Sequence, residues 1–391
     1  MQYKVLFKRC LLAIVVMFVV TSLQAQREMK TINDNWEFRK SIDESWESVN
    51  LPHTFNIDAY QQRNYYQGKG FYRRTLVLPE IVAERRYYMK IDAASKAANI
   101  RVNGKEVGSH VGGYTACIVD ITEYIRKENL IEITVDNGRK DITPISADFT
   151  FWGGIYRDVW LISTPKQHFN MSNMGSDGIF ISTPVVNEKR GVLKVKCEVT
   201  NDSHESSILE VRSAIYSPQG KLLQTIKQKQ KLKSGETYIF ENTSGAIESP
   251  DLWSPETPSL YLVKTTLVDP KSGKLLDEKN HKVGFRWFTF DGSKGFFLNG
   301  KSYKLRGLNR HQDQAPAGVA LDDEAHRRDI FLMKELGCNF IRISHFPQDD
   351  AILEMCDELG LLAWEEIPII NIVPNTPGFF LLLLPLVNLS G

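Results

Sequence analysis

Residues 304–366 read KLRGLNRHQD (304–313), DDEAHRRDIFLMKELG (322–337), CNFIRISHFP (338–347), DDAILEMCDELG (349–360) and LLAWEE (361–366). A short apolar run alternates twice with an amphipathic helical stretch, the pattern of βαβ units and so of parallel strands. In the first helix Asp322 reads as the N-cap, Asp323 and Glu324 occupy the first turn, where the helix dipole favours acids, and Gly337 follows the last turn. Ile330, Met333 and Leu336 recur at helical spacing and predict its buried face. The second helix follows Pro347, carries Ile352, Cys356 and Leu359 on one face and stops at Gly360. Polar residues gather where each strand ends: Asn309, Arg310 and His311, then Arg342, Ser344 and His345, then Glu365 and Glu366. A (β/α)8 barrel builds its active site on that rim.

Working outward, residues 26–165 predict an antiparallel sandwich. FYRRTLVLP (71–79), YYMKIDA (87–93), ANIRVNGKEVG (98–108) and LIEITVDN (130–137) alternate apolar and polar residues, and Asn103-Gly104 is a strong hairpin turn. Residues 166–284 repeat the strand pattern in GVLKVKCEVTND (191–202), ILEVRSAIYSPQGKLL (208–223) and SLYLVKTTLVDPKSGKLL (259–276), which reads as an immunoglobulin-like sandwich. The expected domains are 26–165, 166–284 and 285–391. The second is assigned spacing and support, because no polar or aromatic cluster stands out in it.

LRGLNRHQD, NFIRISHFP and LAWEE, preceded by VGFRWFTFDGSKGFFLNGK (283–301), resemble the opening of the catalytic barrel of glycoside hydrolase family 2, the β-galactosidase and β-glucuronidase group. SADFTFWGGIYRDVWLI (146–162) and WESVNLPHTFN (46–56) resemble that family's N-terminal jelly roll, and LWSPETPSLY (252–261) resembles its second domain. The resemblance implies a jelly-roll sugar-binding sandwich, an immunoglobulin-like sandwich and an incomplete (β/α)8 barrel of about three strands. It also implies site residues. Asp148 would reach across from the jelly roll to hydrogen-bond the terminal sugar, and Asn309, Arg310, His311, Arg342 and His345 would line the sugar site. Arg342 would pair with the nucleophile and keep it ionised. The RDVW and NRHQD forms lean towards galactosidase. Trp152, Tyr156 and Trp160 read as sandwich core or domain interface in preference to sugar platforms.

Retaining hydrolysis of a glycoside needs two carboxyl groups about 5–5.5 Å apart, one acid and one nucleophile. In the family these are glutamates at the ends of the fourth and seventh barrel strands, beyond the third strand where the resemblance stops. Glu365 and Glu366 belong to the third strand, and successive strand residues face opposite ways, so they are not that pair. After WEEIP the chain reads IINIVPNTPGFFLLLLPLVNLSG, which departs from the family and reads as a premature end. The expectation is an exo-β-glycosidase by descent that is inactive as this polypeptide. Two other readings stay open: a carbohydrate-binding protein in which the jelly roll works alone, and a fragment that reassembles with a separately encoded barrel remainder.

Lys plus Arg number 48 against 47 Asp plus Glu in 391 residues, a balance that gives nucleic acid no purchase. Lys4, Lys8 and Arg9 precede an apolar run ending at Val20 and the segment TSLQA, which predicts an export signal cleaved after Ala25. That run and the one at 379–384 are both shorter than the roughly 20 residues of a membrane span. The expected location is periplasmic or extracellular. Cys117, Cys197, Cys338 and Cys356 sit singly at apolar positions and read as buried thiols, with no metal spacing. No cofactor is called for, although some relatives bind a divalent cation. The expected partners are β-linked glycans, and three strands that cannot close would leave an edge open to self-association.

Overall fold

The computed structural model describes residues 26–370. The expected leader (1–25) and the apolar run at 379–384 lie outside them. The first domain is a sandwich of two antiparallel sheets. One has four strands in the order Glu28–Thr31, Val159–Pro165, Arg85–Ile91, Cys117–Asp120. The other has six: Glu47–Val49, Trp36–Arg39, Lys69–Val77, Glu128–Asp136, Ala97–Val102, Lys105–Val111. The period-two patterning works as expected: Ile131, Ile133 and Val135 point inward to meet Trp36, Phe38, Tyr72 and Met89 in one core. Asn103 and Gly104, both with positive φ (53° and 76°), close the hairpin between Ala97–Val102 and Lys105–Val111.

The second domain packs a five-stranded sheet built on Arg190–Asn201 against a four-stranded sheet built on Ser207–Tyr216 and Tyr261–Val268. Phe169, Leu193, Val211, Phe240 and Phe285 fill the space between them. Its segment 252–261 turns out to be a docking device. The indole N–H of Trp253, itself buried, donates to the Asp357 carbonyl at 2.8 Å, and Lys334 donates to the carbonyls of Pro255 and Gly360. Gly360 has φ +76° and lies against Pro255, where a Cβ would come within 2.5 Å of the Pro255 carbonyl oxygen.

The third region is the βαβαβ unit: β1 (Gly307–Arg310), α1 (Asp323–Glu335), β2 (Phe340–Ile343), α2 (Asp350–Leu359) and β3 (Leu362–Glu365). The strands are parallel, ordered β1-β2-β3, with Asn309 beside Arg342 and Arg342 beside Trp364. Asp322 caps α1 through the Ala325 amide, and Asp349 caps α2 through the Ala351 amide. Ile330, Met333, Ile352 and Cys356 bury one face of the sheet against Ile341 and Ile343. Leu336 departs from expectation: it is 75% exposed, with Phe331 and Leu332 also open, because a helical period fixes a stripe without saying which element covers it.

On the opposite face a three-stranded hairpin sheet (Phe288–Asp291, Gly295–Leu298, Lys301–Ser302) packs Phe296 and Leu298 under Phe340 and Leu362. Trp364, further up that face, is 57% exposed and borders an apolar hollow of about 280 Å³. No closed barrel forms among the described residues. All four cysteines of these residues are free and buried. No described helix is long and apolar enough to cross a membrane.

Candidate sugar site at the seam of two domains

The jelly roll docks on the barrel rim through an aromatic seam. Tyr114 stacks on Phe346 with centroids 3.9 Å apart, and Trp152, Tyr156 and Val319 complete the cluster. Trp152 and Tyr156 are therefore interface residues, as their burial requires. Arg157 reinforces the seam by donating to the Pro347 carbonyl at 2.8 Å. Gly318, at φ +61°, lets the rim loop pass close to Trp152, where a Cβ would come within 2.9 Å of the ring.

Above the seam the rim side chains converge. Arg342 leaves β2 on the face away from the helices, and its Nε donates to Glu366 Oε1 at 2.7 Å. His345, just past β2, donates from Nδ1 to Glu366 Oε2 at 2.7 Å. Burial pushes the Glu366 carboxyl up, but the donors from His345 and Arg342 outweigh it and hold the group below the usual carboxylate range. Arg342 was expected to serve the nucleophile; among the described residues its carboxylate partner is Glu366, the neighbour that parallel register delivers. That pairing also gives Glu366 a charge-holding position.

His311 meets the His345 ring edge-on at 5.1 Å, and Phe149 of the jelly roll lies against both, at 5.9 Å from His345 and 6.0 Å from His311. Asp148 and Phe149, with Tyr60, Arg63, His311 and Asp313, line a cleft of about 1090 Å³ open to solvent. Asp148 and His311, far apart in sequence and assigned to different domains, thus share one wall. Asn309 is exposed on the strand face it shares with Arg342.

Arg310 goes elsewhere. It is 3% exposed, and its guanidinium donates to Asp329 at 2.7 and 3.0 Å, to Gln348 at 2.5 Å and to His326 at 3.0 Å. Burial, together with Arg310, pushes His326 down to about 4, so the ring is neutral and accepts from the arginine. The placement of Arg310 as a sugar contact is corrected to a buried brace between β1, α1 and the loop before α2. Phe149 was not singled out from the sequence. Its signal was its place beside Asp148 in an aromatic-rich loop. Among the described residues no group of three or more His, Cys, Asp or Glu side chains stands together as a metal site.

The fold is two β-sandwiches followed by a parallel βαβαβ unit, with a polar cleft walled by a jelly-roll loop and by the C-terminal rim of the parallel strands. Comparison with known proteins gives the family. Residues 13–165 match the family 2 glycosyl hydrolase sugar-binding domain, 177–286 the family 2 glycosyl hydrolase domain that follows it, and 291–377 the family 2 TIM barrel domain. The chain belongs to glycoside hydrolase family 2. A β-glucuronidase of Bacteroides uniformis of known structure is 57% identical over 90% of this chain and 44% of its own, with a TM-score of 0.88. A calcium-binding mutant of β-glucuronidase 2 from that organism, with two aspartates changed to alanine, matches at the same identity over the same shares, with a TM-score of 0.86. A β-glucuronidase of Bacteroides fragilis is 34% identical over 90% of this chain and 51% of its own length. A β-galactosidase of Thermoanaerobacter pseudethanolicus is 34% identical over 86% and 44%. The chain thus spans about half the length of these curated relatives.

Proposed function

We propose that these residues form the sugar-gripping part of a retaining exo-β-glycosidase, with β-glucuronides ahead of β-galactosides as its substrate. The carrying observation is the cleft lined by Asp148 and Phe149 of the jelly roll and His311 of the barrel rim, with the His345 ring set against Phe149. Asp148 accepts hydrogen bonds from sugar hydroxyls, the imidazoles donate or accept, and Phe149 offers an apolar ring to a sugar face. The order of substrates rests on the 57% likeness to a β-glucuronidase, before which the galactoside reading of RDVW and NRHQD yields. Glu365 and Glu366 are not assigned the acid and nucleophile roles, which the family resemblance places at the ends of the fourth and seventh barrel strands. Calorimetric titration with phenyl β-D-glucuronide and phenyl β-D-galactoside tests the reading. Saturable binding that favours the glucuronide supports it, and equal or reversed preference overturns the substrate order. Release of p-nitrophenol from p-nitrophenyl β-D-glucuronide at ordinary enzyme rates would overturn the assignment of chemistry to other residues.

The calcium-binding likeness suggests where a cation would be held. Asp323 and Asp349 stand as far apart in this sequence as the two aspartates replaced in that mutant. Asp349 lies 3.8 Å from Arg157. Burial and mutual repulsion raise the carboxyls of Asp158 and Asp323. A hard divalent cation relieves such repulsion. Export through a leader cleaved after Ala25 completes the proposal; N-terminal sequencing of the secreted protein checks it.

A further inference from the structure

The loop that brings Asp148 and Phe149 to the rim has no regular structure of its own between Asp136 and Gly154. Its backbone polar groups need partners from elsewhere, or the loop samples many shapes. The two ends are held by amides. Asn137 and Asn56 both donate to the Phe151 carbonyl, at 2.8 and 3.0 Å, and the Phe151 N–H donates to the Tyr65 hydroxyl at 2.8 Å. Among the described residues one side chain hydrogen-bonds the backbone of its middle from beneath. Lys96 is 2% exposed, donates from Nζ to the Pro144 carbonyl at 2.8 Å and to the Arg139 carbonyl at 3.4 Å, and sits 4.3 Å from the centroid of the Phe151 ring.

We propose that Lys96 is the positioning residue of the sugar site, holding the 139–151 loop so that Asp148 and Phe149 face the barrel rim. This rests on the reading of Asp148 as a sugar contact, but the ordering of the loop does not. A buried ammonium is an expensive anchor, and among the described residues no carboxylate within hydrogen-bonding distance repays its desolvation. Burial and the nearby Lys140 pull it down to about 8 against the opposing pull of Asp136 and Asp141. Carbonyl oxygens and an aromatic face are the groups a cation prefers when no acid is at hand. All three belong to one loop, so the ammonium ties points at 139, 144 and 151 together and leaves 145–150 as a short arch above it.

The experiment is hydrogen exchange by mass spectrometry on the full chain, comparing Lys96→Met and Lys96→Arg with the parent at one pH. Methionine keeps the stem and removes the donors; arginine keeps the charge. Lys96→Met is expected to speed exchange of the 139–151 amides about tenfold, the scale of losing hydrogen bonds from a charged donor. Exchange in the 190–201 strand of the second domain stays unchanged, and Lys96→Arg restores most of the protection. Affinity for phenyl β-D-glucuronide then falls with Lys96→Met in parallel. Unchanged loop exchange in Lys96→Met overturns the proposal, as does failure of Lys96→Arg to restore any protection while its melting temperature matches the parent. If the loop responds as expected while the parent chain binds no glycoside, the role of Lys96 in ordering the loop stands and the sugar reading of Asp148 falls.

Discussion

The jelly roll and the barrel unit contain similar apolar residues and treat them differently. In the jelly roll Trp36 has no exposed surface, because two sheets close over it from both sides. In the barrel unit Trp364 lies on a three-stranded sheet with helices on one face only, and more than half its surface meets solvent. Phe288 and Phe290 of the hairpin below are 57% and 68% exposed. The first region closes its own core. The second is held by what docks on it: Trp253 from the second domain, and Trp152, Tyr114 and Arg157 from the first. The proposed sugar cleft lies at one of those docking seams, so the stable partner presents Asp148 and Phe149 to the less enclosed one.

Trp36→Ala removes a fully buried indole and is expected to destabilise the first domain by about 3–5 kcal/mol in urea unfolding followed by circular dichroism. A cost near zero would show that the jelly-roll core is not what stabilises the chain. Asp148→Ala is expected to weaken phenyl β-D-glucuronide binding by about 1.5–3 kcal/mol, the scale of hydrogen bonds to a charged acceptor. Calorimetry reads it, with the unfolding midpoint unmoved because the loop is at the surface.

Glu366→Gln sharpens the electrostatic side. The folded carboxyl is depressed below its unfolded value, so its contribution is present above the ordinary carboxylate pKa and is lost as pH falls through the folded one. The variant should therefore melt lower than the parent near neutral pH, and the two curves should converge in acid; a constant gap across that range would contradict the ion-pair account. Added calcium should raise the melting temperature of the parent and not of Asp349→Ala, an effect set by the excess of ion over its dissociation constant. The smallest effect belongs to Trp364→Ala, expected within about 0.5 kcal/mol of the parent by the same unfolding measurement. The same substitution should lower any concentration-dependent association seen by sedimentation, since the open face is where a second copy would dock.

Much of this fold was legible because local chemistry and global structure agree. Asp322, Gly360 and the Asn103-Gly104 turn are each dictated by a backbone need that a sequence displays. The three rim clusters were legible too, since strand ends follow from the βαβ alternation. What register and docking decide was hidden. Glu366 meets Arg342 and His345 only because β2 and β3 run parallel in one alignment, and Arg310 turns away from the cleft because Asp329 and His326 arrive on α1. Leu336 obeyed its helical period and still faced solvent. Phe149 and Lys96 act across long sequence separations, which no window of local sequence contains; an isolated lysine within DAASKAANI was the one visible sign of the second.

By the proposed function, one sugar site is built from two domains. It is tested most directly by titrating phenyl β-D-glucuronide into the parent chain, Asp148→Ala and His345→Ala, each first shown to keep the parent's folded spectrum. Saturable binding in the parent and at least about a tenfold loss in both variants are expected. Binding that survives His345→Ala intact would confine the site to the jelly roll, and binding indifferent to Asp148→Ala would remove the jelly roll from it; either result contradicts the shared site.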